Sequence, residues 1–180
     1  MTNRYFKALD LPFEFKPKNP NFGSAQHVKY DLENAKELSD WLNSLGLKIG
    51  FAEVFKKPPG YDFPNALHID GEELDDHVKI NFVYGIGSSK MRWWKIKDGK
   101  SYKKETTVVW TKYFYAARED CDMVAESSLE KPSLVNAGVL HNVELVDRER
   151  WCYSFMITHS NGSRVYWDEA MKIFKDYIND

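Results

Sequence analysis

The stretch Ala66-Leu67-His68-Ile69-Asp70 is a short apolar run that carries a histidine and an aspartate two positions apart. Alternate side chains of an extended strand point to the same face. We therefore expect His68 and Asp70 to project together, while Ile69 packs on the opposite face. Residues 66–70 are accordingly predicted to form a strand that presents two polar side chains side by side.

Similar extended runs surround this stretch, and turn residues separate them. The predicted strands are residues 48–56, 66–70, 78–84, 91–96, 106–115, 133–139, 142–146 and 151–158. A helix is predicted over residues 31–45, with Asp31 as its N-cap and Gly46 just beyond its end. Asp168 is expected to cap a second helix near the C-terminus.

This order of elements predicts one domain over residues 1–180 that is mainly β with flanking helices. The core, about residues 48–158, is expected to be a double-sheet jelly roll of the cupin-like kind rather than a parallel α/β sheet. A helical flank over about residues 28–47 precedes it, and a helix over about residues 167–179 follows it. Aromatic residues make up 15% of the chain, which also favours strands.

Charge and cysteine content narrow the class of protein. The net charge is −2 and the pI is near 6.2, which gives no electrostatic field for nucleic acid or for an anionic membrane. No run of about 18 apolar residues predicts a membrane span, and the N-terminus lacks an apolar leader. The two cysteines, Cys121 and Cys152, do not form a C-x-x-C motif, so we expect a reducing, cytoplasmic setting.

A second histidine, His141, follows an apolar run that begins at Val135 and is expected to deliver it at the end of a strand. Two imidazoles and one carboxylate on one face of a metal are the ligand set of mononuclear non-haem Fe(II) sites. The alternative is that His68 and Asp70 are surface residues beside the acidic loop 71–76. His77 is a weaker candidate ligand than His68, because no carboxylate stands two residues after it.

The stretches PNALHIDG (64–71) and PSLVNAGVLHNVELVDRERWCYSF (132–155) carry H-x-D, a distal histidine and a later arginine in that order. This set resembles the 2-oxoglutarate/Fe(II)-dependent oxygenase superfamily over about residues 51–157. The resemblance implies a double-stranded β-helix core. It also implies Fe(II) held by His68, Asp70 and His141 as the catalytic centre, with 2-oxoglutarate and O2 as co-substrates.

The resemblance further implies residues for 2-oxoglutarate. Arg150 is expected to pair with its distal carboxylate, because a guanidinium offers permanent, bidentate pairing. Arg148 has the same strand parity and is the rival anchor. Cys152 stands where the family pattern R-x-S places a serine, and Ser154, two residues later, is expected to add a hydroxyl hydrogen bond.

Asn81 and Tyr84 lie on the strand that lines the co-substrate pocket by analogy, and either is expected to contact 2-oxoglutarate. Because their parity is opposite, a regular strand can direct only one of them into the pocket. Tyr84 is alternatively a core residue. By the same resemblance, the presence of Asp70 favours hydroxylation over halogenation.

The substrate is expected to be a small molecule or an accessible side chain. Two other functions remain open at this point: a cupin-like metalloprotein that uses no 2-oxoglutarate, and a non-catalytic jelly-roll binding module.

Overall fold

The structure is a computed structural model that describes residues 3–23, 25–60, 67–71, 73–106 and 112–179. It contains 44% strand and 16% helix, which confirms the prediction of a mainly β protein with flanking helices. The helices are α1 (Lys36–Ser44) and α2 (Trp167–Ile173). The strands are β1 (Phe6–Leu9), β2 (His27–Lys29), β3 (Leu47–Lys57), β4 (Leu67–Ile69), β5 (Val78–Tyr84), β6 (Lys90–Ile96), β7 (Lys103–Thr106), β8 (Lys112–Ala116), β9 (Cys121–Ser127), β10 (Ser133–Asn136), β11 (His141–Glu144), β12 (Arg150–His159) and β13 (Ile178–Asn179).

These strands form two curled antiparallel sheets. The large sheet has the order β13-β1-β10-β5-β12-β3-β2, and the small sheet has the order β7-β8-β4-β11-β6-β9. Side chains alternate between the two faces of every strand, which gives each sheet two distinct surfaces. One surface of each sheet faces the other sheet, and the opposite surface faces away from it. We call the two facing surfaces the inner faces.

Three apolar clusters hold these layers together. The largest lies on the outer face of the large sheet, and its buried members include Leu38 and Leu42 of α1, Phe174, and Tyr153 and Phe155 of β12. A second cluster lies between the sheets, and a third covers the outer face of the small sheet. The region between the sheets is therefore only partly filled by apolar side chains.

The first predicted helix is confirmed in position, with a tighter first turn. Residues Leu32–Ala35 form a 3-10 turn, and the Asp31 carboxylate accepts a hydrogen bond from the backbone N–H of Glu33. Gly46, with φ of 74°, follows the end of α1 in the left-handed conformation that glycine adopts without strain. The predicted flank over residues 28–47 begins earlier than this helix, inside β2.

The second predicted helix is too long. Helix α2 ends at Ile173, and Asp168 lies in its first turn, while Tyr166 takes the N-cap position. Residues Ile178–Asn179 leave the helical path and pair with β1. Apolar residues recur at helical spacing as far as Ile178, because the 3-10 turn Lys175–Tyr177 and the short edge strand β13 also place apolar side chains against the core.

Other strand predictions were right in position and differ in their limits. Strand β5 has the predicted limits of 78–84, whereas the run 133–139 forms strand only as far as Asn136. Ala66 and residues 107–111 of the predicted strands lie outside the described residues. Strands β1, β2, β7, β9 and β13 were not predicted, since the predicted run 106–115 overlaps β7 only at Thr106. Within the described ranges, no helix has the length and apolar character needed to cross a bilayer.

Candidate metal centre

His68 and His141 lie on neighbouring strands of the small sheet. Strands β4 and β11 are antiparallel, and His141 is the direct partner of His68. The sequence predicted that His141 lies at the end of the preceding strand. In the structure it is instead the first residue of β11. The reason is that residues 137–140 form a turn between β10 in the large sheet and β11 in the small sheet, and the carbonyl of Ala137 accepts a hydrogen bond from the backbone N–H of Asp70 at 3.0 Å.

The three predicted ligands converge. The Oδ1 atom of Asp70 lies 3.4 Å from Nε2 of His68 and 3.7 Å from Nε2 of His141. One potential ligand atom from each residue lies within 4.8 Å of the other two. Ligands bound to one metal at 2.0–2.2 Å and at right angles are about 3 Å apart, so small side-chain rotations would bring all three onto one ion. The donor set therefore fits a divalent transition metal.

The electrostatics also suit a metal site. Burial alone would raise the pKa of Asp70, but Lys79 and the imidazoles of His141 and His68 outweigh it and hold the pKa well below its usual range. Burial lowers the pKa of His141 to about 4, and Asp70 opposes that shift only in part. Asp70 is therefore ionised and His141 neutral near pH 7, which are the forms that bind metals.

The orientation of His141 is set by its backbone. Its Nδ1 lies 2.8 Å from the carbonyl oxygen of Val139. A carbonyl only accepts, so Nδ1 donates, and the lone pair of the neutral ring is on Nε2. A second hydrogen bond of this kind fixes the tautomer and the direction of metal-binding histidines. Nε2 of His141 is the atom that faces Asp70.

A cavity of about 240 Å³ lies between the inner faces of the two sheets and contains the three donors. The small sheet contributes His68, Asp70 and His141. Strand β12 of the large sheet contributes Arg150, Cys152 and Ser154, as its alternation predicts, and β5 contributes Asn81. The other lining residues are Gln26, His27, Phe55, Lys56, Lys57, Met91, Val135, Ala137, Asn142 and Val143.

Arg150 lies inside this cavity and Arg148 does not. Arg150 is 2% exposed, and its Nε has no hydrogen-bond partner among the described residues. Burial lowers its pKa. Its partner on β3 is Lys57, whose pKa falls to about 8 through burial and the charge of Arg150. The side chain of Arg148 is 65% exposed and faces Asp147, so Arg150 is the arginine placed to meet a buried anion.

Asn81 and Ser154 are direct cross-strand partners on β5 and β12, and both line the cavity. The Oδ1 atom of Asn81 is buried without a hydrogen-bond partner among the residues that the structure describes. A buried polar atom of this kind is costly unless a bound molecule or water contacts it. The pair therefore adds polar groups that a ligand could use.

Tyr84, which the resemblance named as a possible contact of the co-substrate, does not line this cavity. Its hydroxyl donates to the carbonyl oxygen of Phe15 at 2.8 Å, and its ring packs edge-on against Tyr153 on the outer face of the large sheet. Tyr84 is three residues after Asn81, so strand alternation places the two on opposite faces. The alternative noted from the sequence, a core residue, does not describe Tyr84 either, because it is 38% exposed.

The acidic loop and His77 form a separate cluster. His77 is fully buried, its Nδ1 contacts the carboxylate of Asp75, and Arg164 donates to the same carboxylate at 2.7 Å. Asp75 of the loop is therefore held by structural contacts, whereas the acidic composition of the loop suggests a solvated rim. Glu72 lies outside the described residues. His77 does not line the cavity, which leaves His68 as the histidine next to Asp70.

Two charged residues beside the site were missed by sequence reasoning. Lys79 of β5 donates to Oδ2 of Asp70 at 2.9 Å and to Glu53 of β3 at 3.4 Å. The available signal was parity, because Lys79 has the same parity as Asn81 on a strand that is otherwise apolar. Glu53 gave no comparable signal.

Comparison with known proteins adds no relative. A scan against protein-family models finds no match for this chain, and a search of curated proteins finds no significant match.

Proposed function

We propose that the protein is a non-haem Fe(II), 2-oxoglutarate-dependent dioxygenase that hydroxylates a small molecule or an accessible side chain. One observation carries the proposal: the His68, Asp70 and His141 donors and the buried guanidinium of Arg150 line the same cavity. A metal site alone would not require a buried cation with an unpartnered donor. A metal that binds one end of a dicarboxylate leaves the other carboxylate in the cavity, and that carboxylate needs a buried cation as its partner.

We also propose that the two sheets form a double-stranded β-helix. The order of the strands along the chain supports this, because β3, β4, β5 and β6 fall alternately in the large and small sheets, and so do β10, β11 and β12. The late strands insert between the early ones: β12 lies between β3 and β5, and β11 lies between β4 and β6. This antiparallel interleaving is what a jelly roll of two Greek keys requires.

In this proposal His68, Asp70 and His141 hold Fe(II) on one side, and the remaining positions face the cavity. The bound metal would supply the oxidative chemistry, in which O2 is reduced while 2-oxoglutarate loses CO2 and becomes succinate. The role of the protein is to hold three ligands in place and to keep the reacting atoms away from bulk water. His141 is the most buried of the three donors, with a side chain that is only 6% exposed.

Arg150 would bind the distal carboxylate of 2-oxoglutarate. Its guanidinium is buried, and burying a cation without a counter-charge is unfavourable, so an anionic ligand would stabilise it. The second cation, Lys57, strengthens the local positive potential. The hydroxyl of Ser154 and the amide of Asn81 lie on the same inner face as Arg150 and could hydrogen-bond to the same molecule. A cavity of about 240 Å³ is at the small end of ligand sites, which suits a short dicarboxylate.

Calorimetric titration separates the two halves of this proposal. We expect the wild-type protein to bind Mn2+, used here in place of oxidation-prone Fe(II), and then to bind 2-oxoglutarate. Asp70→Ala should abolish Mn2+ binding while the protein remains folded. Arg150→Met should keep Mn2+ binding but weaken 2-oxoglutarate binding by about 30-fold or more, since a buried carboxylate loses its partner.

The matched controls are Glu73→Ala, which removes an exposed carboxylate from the neighbouring loop, and Arg148→Met. Both should behave as wild type. If Arg148→Met weakens 2-oxoglutarate binding and Arg150→Met does not, the anchor is Arg148. If Mn2+ binds without any affinity for 2-oxoglutarate, the protein is a cupin-like metalloprotein of another kind. If the wild type binds no metal, the enzyme proposal fails and a non-catalytic binding module remains.

A further inference from the structure

Lys79 is a buried cation directly behind the candidate metal centre. Its side chain is 4% exposed, and its ammonium group lies between two carboxylates: 2.9 Å from Oδ2 of Asp70 and 3.4 Å from Oε2 of Glu53. Burying a lysine is costly unless it is paired and hydrogen-bonded. Its position in β5, where the flanking residues Val78 and Ile80 are fully buried and apolar, therefore needs an explanation.

The two oxygens of Asp70 have different neighbours. Oδ1 faces Nε2 of His68 and Nε2 of His141, at 3.4 and 3.7 Å. Oδ2 faces Lys79. A carboxylate can bind a metal through one oxygen or through both. The contacts of Asp70 leave Oδ1 for the metal and occupy Oδ2 with a hydrogen bond.

From this arrangement we propose that Lys79 is a positioning residue that restricts Asp70 to binding the metal through Oδ1 alone. The inference rests on the proposed metal centre. With one donor atom from each of the three residues, a bound metal would keep its remaining positions for 2-oxoglutarate and O2. If Asp70 used both oxygens, it would take a position that a co-substrate needs. Lys79 thus keeps the site open without touching the substrate.

Glu53 is the second carboxylate that holds the ammonium group of Lys79 in place. Its Oε2 lies 3.4 Å from Lys79, and its Oε1 pairs with Nε2 of His27, whose ring stacks on Phe55 with centroids 4.7 Å apart. Glu53 and Lys79 come from β3 and β5, the two strands that flank β12 in the large sheet. Two strands of the large sheet thereby fix the position of Oδ2 of Asp70, a candidate metal ligand on the small-sheet side of the cavity.

The alternative role for Lys79 is a structural ion pair that only holds the sheets together. The two roles make different predictions for metal binding in a folded protein. Replacing a partner of a metal ligand typically costs about 10- to 100-fold in metal affinity. A purely structural pair would change the unfolding midpoint and leave the affinity of the folded protein for Mn2+ unchanged.

The test compares Lys79→Met with the paired variant Glu53→Gln/Lys79→Met by calorimetric Mn2+ titration and by thermal unfolding. The paired variant removes the Lys79 and Glu53 charges together, so Glu53 is not left as a carboxylate that has lost its lysine partner. Lys90→Met is the matched control, because Lys90 is a partly buried lysine that hydrogen-bonds to Ser128, outside the cavity. We expect the Mn2+ affinity of both Lys79 variants to differ from that of wild type by at least about 10-fold and Lys90→Met to bind as wild type.

A crystal structure of the Mn2+-loaded wild-type protein gives a second reading that does not depend on any variant folding. We expect Asp70 to bind Mn2+ through Oδ1 while Lys79 stays on Oδ2. An Asp70 that binds through both oxygens, or a folded Lys79 variant with wild-type affinity for Mn2+, overturns the inference and leaves the metal centre intact. Failure of the wild-type protein to bind Mn2+ overturns the metal centre and the inference together.

Discussion

Arg150 and Lys57 place two cations at directly paired positions of β12 and β3, on the wall of a cavity that also contains the three candidate metal ligands. The pKa of Lys57 falls to about 8, first through burial and then through the charge of Arg150. The ammonium form of Lys57 is therefore less favourable in the folded protein than in the unfolded chain. A binding site of this kind lowers the stability of the ligand-free protein.

This cost predicts that Lys57→Met stabilises the ligand-free protein at pH 7. We expect a gain of about 2 kcal/mol in the free energy of unfolding, allowing for partial contact of Lys57 with solvent. The gain should be fully present below pH 8 and should shrink as the pH rises from about 8 toward 10.5. In that range the folded protein releases the Lys57 proton, whereas the unfolded chain still binds it.

Urea denaturation at pH 7 and at pH 10 measures this difference. The control is Lys95→Met, an exposed lysine on β6, which should change stability by less than about 0.5 kcal/mol. A Lys57→Met protein that is less stable than wild type at pH 7 would contradict the assignment of Lys57 as a destabilising cation.

At the scale of single residues, the sequence predicted those cavity residues whose positions follow from strand alternation. His68 and Asp70 share a face because they are two positions apart, and Arg150, Cys152 and Ser154 share a face for the same reason. The same rule excluded either Asn81 or Tyr84 but did not say which one faced inward. The parity of Lys79 with Asn81 was a local signal for Lys79, whereas its ion pair with Glu53 depends on the order of β3 and β5 in the sheet, which no local pattern encodes.

The turn between β10 and β11 is the element that brings His141 to the site. It carries the chain from the large sheet to the small sheet over residues 137–140, and Gly138 lies at its closest approach to the loop before β5. A Cβ on Gly138 would lie 1.7 Å from the carbonyl oxygen of Asp75, which is a backbone atom that cannot move alone. Only glycine fits between these two segments.

We expect Gly138→Ala to destabilise the protein by at least about 2 kcal/mol, because either the turn or the loop at Asp75 must shift. Mn2+ affinity should fall as well, since the turn carries His141 and the neighbouring Ala137 accepts a hydrogen bond from Asp70. Thermal unfolding and Mn2+ titration measure the two effects.

Gly162→Ala separates this steric effect from backbone strain. Gly162 has φ of 91°, and nothing lies within 4 Å of the Cβ it would gain, so strain alone should cost about 1 kcal/mol and leave Mn2+ binding unchanged. Equal losses of stability in the two variants, with unchanged metal affinity in both, would show that the turn does not position His141.

The elements that sequence reasoning recovered are those with a strong pattern of their own. Strand β5 is buried from Val78 to Val83 and has the predicted limits, and a 3-10 turn capped by Asp31 leads into the apolar stripe of α1. Strands β2 and β9 were missed because their sequences, HVK and CDMVAES, are short or largely exposed. They are strands because a neighbouring strand offers backbone partners, and tertiary pairing of this kind overrides local preference.

At the scale of the whole molecule, the candidate site depends on both sheets. The small sheet supplies the metal donors, whereas the large sheet supplies Arg150, Asn81 and Ser154, together with Lys79 behind Asp70. Neither sheet alone contains a complete site. The mainly β class could be predicted from composition and strand spacing, but the separation of the two inner faces and the cavity between them depend on side-chain packing across the sheets.

The most direct test of this account is a crystal structure of the protein with Mn2+ and 2-oxoglutarate, in which anomalous scattering locates the metal. We predict one Mn2+ bound by His68, Asp70 and His141, with the distal carboxylate of 2-oxoglutarate on Arg150. A cavity that contains neither molecule at saturating concentrations, or a manganese bound away from these three residues, would contradict the central claim that the two sheets enclose an oxygenase site.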